Sequence, residues 1–284
     1  MTSGLEFDEI HDSRWMMYGG ESSAAEYAAN KELRVWPGSS WQYSSGTSAL
    51  LSRLIRYSFI GTSMTTSTDK RKLVASPLAA SNQSAFMLPE NSMSNQAYWS
   101  FPRLQLFDVI GMRSAVMELD TSGTFIGGAR MHATARDWAR FGLLYANDGL
   151  WHRDNFAIAV LPQQWTSESV TRKPASGSRG LFGGHWWLGG TSALASDVAL
   201  DSEPQYAWLR QLPRKTLVAM DREAGHILLV VPEYHLVLVR FGFEPLKPAH
   251  VLELMTQLAE LLPRASPLVT ASLESTTSTV TNAP

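Results

Sequence analysis

Trp36-Pro37-Gly38-Ser39-Ser40-Trp41-Gln42-Tyr43-Ser44-Ser45-Gly46-Thr47-Ser48-Ala49-Leu50-Leu51 is the stretch on which the reading of this 284-residue chain turns. Pro37-Gly38 is a turn signal, Ser40 to Tyr43 reads as a short extended piece, and Ser45 is placed to cap the helix that follows. In that helix Leu50, Leu51, Leu54 and Ile55 recur at i, i+1, i+4 and i+5, which predicts one buried stripe. The turn therefore presents Tyr43 just ahead of a helix that opens with small hydroxyl residues, where a phenol can reach a pocket. Tyr43 is either a site residue or a capping aromatic under a turn. Ser45 is a polar site residue, the N-cap, or both.

On either side the chain reads as alternating helix and loop. Ser22 to Leu33 is rich in Ala, Glu, Tyr and Lys and predicts a short helix. Residues 61–97 are dominated by Ser, Thr, Asn and small side chains without a period, and read as a low-complexity insertion. Phe107 to Met112 predicts a short helix stopping at Gly111, and Asp120-Thr-Ser-Gly123 a turn. Thr134 with Asp137 forms a capping box, and Ala135, Trp138, Ala139, Gly142 and Leu143 repeat at helical spacing until Asn147-Asp148-Gly149. Arg136, Asp137 and Arg140 make a charged face on that helix, read as structural, with a buried ion pair as one arrangement. Leu161-Pro162 opens another helix, to about Ser167.

Gly183 to Gly190 reads as a strand bounded by glycines. Trp186 and Trp187 on it are candidates to wall a substrate cleft, although strand alternation sends one of them into the core. Thr216–Met220, His226–Val231 and Leu236–Phe241 are apolar, β-branched runs with short turns, hence an antiparallel meander. Pro248 to Leu262 (Val251, Leu252, Met255, Leu258, Ala259, Leu262) predicts an amphipathic helix lying on that sheet. Beyond Pro263 the Ser/Thr-rich tail reads as unstructured. The fold class expected is α/β (α+β), with a helical first half, then an antiparallel sheet and a terminal helix; the division is a domain over 1–264 and a tail over 265–284.

Composition narrows the function. With 44% hydrophobic and 18% charged residues the chain can bury a core, and a net charge of -2 with scattered Lys and Arg disfavours a nucleic-acid or anionic-membrane partner. No run approaches the length of a membrane span. The first twenty residues contain neither the basic nor the apolar region of a signal peptide. Zero cysteines exclude disulfides, a thiolate zinc site and a cysteine nucleophile. The seven histidines form no metal-ligand spacing, and no G-x-S-x-G, Walker or G-x-G-x-x-G motif occurs. No metal and no cofactor is expected.

Tyr43-Ser44-Ser45-Gly46 resembles the second motif, Tyr-x-Asn or Tyr-x-Ser, of the β-lactamase-related serine hydrolases: class C β-lactamases, D,D-peptidases, lactamase-type esterases and aminohexanoate-oligomer hydrolases. The Tyr-Ser-Ser-Gly form is most similar to the last group. Collinear segments extend the resemblance: Met1-Thr-Ser-Gly-Leu-Glu-Phe-Asp-Glu9 to the family's "LLtMTSGl", Leu106–Met112 to "lFdplGM", and Ala133–Gly142 to "ATARDwARfG". Leu161–Trp165, Gly184–Trp187, and Val231-Pro-Glu through Val237–Arg240 follow in order. The resemblance implies a β-lactamase/transpeptidase-like fold and an acyl-enzyme mechanism on a small-molecule amide or ester, with Tyr43 and Ser45 as catalytic residues.

That mechanism takes its nucleophile from a Ser-x-x-Lys at a helix start, since i, i+3 spacing puts hydroxyl and ammonium on one face. A phenol, with an ordinary pKa of about 10, acts as a base near neutrality only beside a cation. In the family the Ser-x-x-Lys precedes the "LLtMTSGl" segment, so the resemblance implies a chain truncated before its nucleophile, inactive as given, with a strand edge and an apolar face laid bare. Ser67-Thr-Asp-Lys70 has the spacing but follows the tyrosine and lies in the polar insertion, and is rejected. The third motif, Lys/His-x-Gly, falls at Glu223-Ala224-Gly225-His226, where only the glycine matches. Glu223 would repel a carboxylate-bearing substrate. The His226 backbone N–H would be an oxyanion donor, and its side chain is a ligand, a base or an ordinary strand histidine. The competing reading is a non-catalytic pseudoenzyme that binds a ligand in the remnant cleft.

Overall fold

The computed structural model describes residues 1–18, 23–64, 93–154, 156–171, 181–190, 204–221 and 224–262. In chain order its helices are α1 (His11–Tyr18), α2 (Ala24–Ala29), α3 (Ser45–Met64), α4 (Met93–Pro102), α5 (Ala135–Ala146), α6 (Gln163–Ser169) and α7 (Pro248–Leu261). The strands are β1 (Val116–Met117), β2 (Met131–His132), β3 (Leu150–Arg153), β4 (Phe156–Ala159), β5 (Trp187–Leu188), β6 (Leu217–Asp221), β7 (His226–Val231) and β8 (Leu236–Arg240).

β-Branched residues favour a pleated, half-buried surface, and the three apolar runs pair as the meander expected of them. The sheet has the order β5-β6-β7-β8, antiparallel throughout, with Leu217 opposite Val230 and Leu229 opposite Leu238. Side chains alternate between its faces. Trp187, Val218, Ile227, Leu229 and Val231 point to one side, where Val251 and Met255 of α7 cover them. Trp186, Leu188, Leu217, Leu228 and Val230 point to the other, against Trp138, Phe141 and Tyr145 of α5. Each fully buried aliphatic side chain contributes about 2 kcal/mol, so this helix–sheet–helix sandwich is the main store of stability. Gly142 lets α5 approach closely, since a Cβ there would lie 2.6 Å from Val237 Cγ1. Among the described residues β8 pairs only with β7.

The capping box on α5 is half present. Thr134 Oγ1 accepts from the Asp137 N–H at 3.3 Å, but Asp137 does not reciprocate. Its buried carboxylate accepts from the N–H and the hydroxyl of Ser114 at 2.8 and 2.5 Å and from Arg140 at 2.5 Å, while Ser114 Oγ accepts from the Thr134 N–H. The charged face thus holds an ion pair, but one buried only on its Asp137 side, since the Arg140 side chain is 42% exposed. Burial pushes the Asp137 carboxyl up, but the two Ser114 bonds and Arg140 outweigh it and hold the group below the usual aspartate value.

The helical half departs from the sequence reading. Leu51, Leu54 and Ile55 do not form a buried stripe: they are 44, 63 and 47% exposed. α3 instead buries its short side chains, Ser45, Ser48, Ala49 and Ser52, together with Arg56. Small residues permit near contact of backbones: a Cβ on Gly46 would sit 2.5 Å from the Phe7 ring, and one on Gly127 2.2 Å from Ser52 Oγ. Ala24, Ala25 and Ala28 of α2 join Phe7, Met16 and Ala49 in this tight cluster. α2 is shorter than the helix predicted over 22–33. The expected insertion is helical at both ends, since α3 runs to Met64 and α4 begins at Met93; residues 65–92, with Ser67–Lys70, and the tail 265–284 lie outside the described residues. The helix expected over 107–112 comes earlier: α4 passes into a π-helical turn over Arg103–Phe107, and Gly111, at φ 75°, follows it.

Candidate active site

Residues 1–5 run beside residues 33–43 and hold the tyrosine segment. The Gln42 N–H donates to the Met1 carbonyl at 3.0 Å, the Gly38 N–H to Thr2 at 2.8 Å, and Leu5 bridges Leu33. Tyr43 is thereby laid on the α7 face of the sheet. Its ring stacks on Trp187, centroids 5.9 Å apart and planes 11° apart, and meets Phe182 edge-on. Trp187 stacks in turn on Tyr206 at 4.2 Å, and Trp41 touches Phe182 and Trp187. Burial, followed by the negative charges of Glu9, Tyr206 and Asp221, pushes the Tyr43 phenol up to about 12. No cation among the described residues offsets them. On either side of Tyr43, Trp41, Gln42 and Ser44 line a hollow of about 230 Å³ that also takes in Arg34.

Ser45 is occupied differently from its expected part as cap. Ser44 caps α3, its Oγ accepting from the Thr47 N–H at 3.1 Å. Ser45 donates its N–H to Glu9 Oε2 at 2.7 Å and its hydroxyl to Glu9 Oε1 at 2.5 Å. The carboxylate sits at the positive end of the helix dipole. Burial nevertheless raises the Glu9 carboxyl above its ordinary value, against the opposing Ser45 bonds. Sequence reading missed Glu9, because nothing in its spacing ties an acid at position 9 to a serine at position 45.

The profile of the beta-lactamase family matches residues 1–241. This chain belongs to the beta-lactamase family. Among solved structures, a putative 6-aminohexanoate-dimer hydrolase from Bacillus anthracis superposes with a TM-score of 0.54 at 17% identity. The match covers 92% of this chain and 56% of that one, so the chain spans little more than half the length of its structural neighbour. No curated protein matches.

On this beta-lactamase-family chain the remaining expected site residues divide between the two faces of the sheet. Trp186 is turned away from Tyr43: it lies under α5, stacked on Phe141 and edge-on to Tyr145, because pleating sends consecutive side chains to opposite faces. Gly225 stands at φ 71°, where a Cβ would come 2.0 Å from the Glu244 carbonyl, so only glycine fits. His226 opens β7 opposite Asp221, whose charge reaches Tyr43. Its Nδ1 accepts from the Gly242 N–H at 3.2 Å, which leaves the proton of the neutral ring on Nε2. Glu223 lies outside the described residues. No group of three or more His, Cys, Asp or Glu able to hold a metal occurs among the described residues, and no helix among them is long and apolar enough to cross a membrane.

Proposed function

We propose that this chain carries the tyrosine side of a serine-hydrolase site acting on a small-molecule amide or ester, and that residues 1–284 alone do not turn that substrate over. The observation that carries the reading is the state of Tyr43. Its ring is fixed on Trp187, and its phenol, raised to about 12, is protonated at neutral pH and so donates rather than accepts a proton. In an acyl-transfer cycle a serine hydroxyl attacks the carbonyl, its proton passes through a base to the leaving amine or alcohol, and water then frees the acyl group. Tyr43 serves as that base only when a cation beside it offsets burial and the Glu9 and Asp221 charges. A serine–lysine pair supplies both cation and nucleophile. Ser45, held at both its donors by Glu9, acts as a positioning residue that fixes the backbone next to Tyr43. The name of the Bacillus anthracis neighbour adds support for the amide class.

The purified chain is expected to hydrolyse p-nitrophenyl butyrate no faster than buffer. Turnover that disappears in Tyr43→Phe would overturn the proposal. The raised phenol also favours a second reading, a pseudoenzyme that binds acyl ligands without chemistry; a rise in melting temperature with a non-hydrolysed linear diamide marks that case.

A further inference from the structure

Three arginines converge on one hollow away from the Tyr43 platform. It measures about 550 Å³ and is bordered by the turn from Asp108 to Arg113, by Asp137 and Arg140 of α5, and by Trp151 and Arg153 of β3. It lies over the apolar cluster of Ile110, Met112 and Leu144, whereas Tyr43 is on the α7 side of the sheet. The electrostatics are lopsided. Asp137 is saturated by Ser114 and Arg140, and Asp108 is paired with Arg103 at 2.9 Å. Among the described residues neither Arg113 nor Arg153 meets a carboxylate. With Asp108 paired to Arg103 outside the hollow and Asp137 to Arg140, the positive charges of Arg113 and Arg153 are left over on its lining, in a chain whose net charge is -2. Arg140 is held by Asp137 at one nitrogen only, and its flank lies along Gly111, where a missing side chain leaves it uncovered.

We propose that this hollow binds a small phosphate monoester whose flat apolar body rests against Trp151. Guanidinium forks match phosphate oxygens bidentately. A dianion answers a local excess of two positive charges, which a monocarboxylate leaves half unbalanced. The volume falls within the range of about 300–1,000 Å³ of small-molecule pockets, too large for a bare oxyanion and roomy enough for a ring beside it.

Calorimetric titration with phenyl phosphate tests this, with inorganic phosphate and benzoate as comparisons. Saturable one-to-one binding of phenyl phosphate in the range of about 0.1–1 mM is expected, tighter than either comparison. Arg113→Gln and Arg153→Gln each weaken it about tenfold, and Arg→Lys at the same positions less. Trp151→Ala weakens phenyl phosphate but leaves inorganic phosphate unchanged, and Tyr43→Phe binds like the parent chain. Arg113 and Arg153 are exposed, so their variants keep the parent near-ultraviolet circular dichroism. No saturation by about 10 mM, benzoate binding as tightly as phenyl phosphate, or binding undiminished in the Arg113→Gln/Arg153→Gln double variant overturns the proposal.

Discussion

Replacing Asp137 by alanine should destabilise the protein by about 3 kcal/mol, most of it through Ser114. Asp137 is 4% exposed and its carboxylate accepts three hydrogen bonds. The two from Ser114 end on a buried charge, where each contributes about 1.5 kcal/mol net. The bond from Arg140 is worth under about 1 kcal/mol, because that guanidinium side chain is 42% exposed and water can replace its partner. Removing the carboxylate also frees the Ser114 N–H and hydroxyl at the start of α5. Since the folded carboxyl titrates below its unfolded value of about 3.9, its contribution is present above that pH and is lost as pH falls through the folded value. Urea unfolding of parent and Asp137→Ala at a series of pH values reads both quantities. A difference under about 0.5 kcal/mol at pH 7, or one that grows on acidification, refutes the reasoning.

Tyr43→Phe should leave stability at pH 7 within about 0.5 kcal/mol of the parent, since the stacked ring remains. Between about pH 10 and 12 the parent should lose stability relative to the variant, because a phenol whose folded pKa is raised must ionise on unfolding; equal alkaline loss in both chains sinks this. Gly225→Ala should cost more than about 3 kcal/mol, combining a left-handed φ with a clash at the Glu244 carbonyl, and a parent-like melting temperature contradicts it. Leu54→Lys with Ile55→Lys should raise solubility at little cost in stability, whereas a loss above about 2 kcal/mol would mean that this face of α3 is covered.

The sheet was legible because its signal is local. Each β-branched run in the C-terminal half is bounded by its own turn, and the strands fall within a residue or so of the runs. α5 and α7 were legible for a related reason: a cap residue or an initial proline fixes where each starts. The face of α3 was not, because periodicity reports that a helix has two sides without saying which side a neighbour covers. Leu51, Leu54 and Ile55 carry the stronger hydrophobic pattern, yet the opposite side carries the shorter side chains and so admits α2 and the Gly127-Gly128 loop. For the tryptophans, alternation put Trp186 and Trp187 on different faces but could not say which face holds Tyr43.

The site was half legible for the same physical reason. Tyr43 stands out through its own neighbours in sequence, while Glu9, which takes both donors of Ser45, is joined to it only by the fold. These two facts are linked through α3. The small residues that open the helix let Phe7 press against Gly46, and this brings the segment bearing Glu9 to the helix N-terminus. Glu9 then fixes Ser45, and through two peptide units the direction in which Tyr43 leaves the helix. A bulky residue at Gly46 would therefore disturb the Tyr43–Trp187 stack without touching either ring. The serines and glycine after Tyr43 thus set where its ring lies.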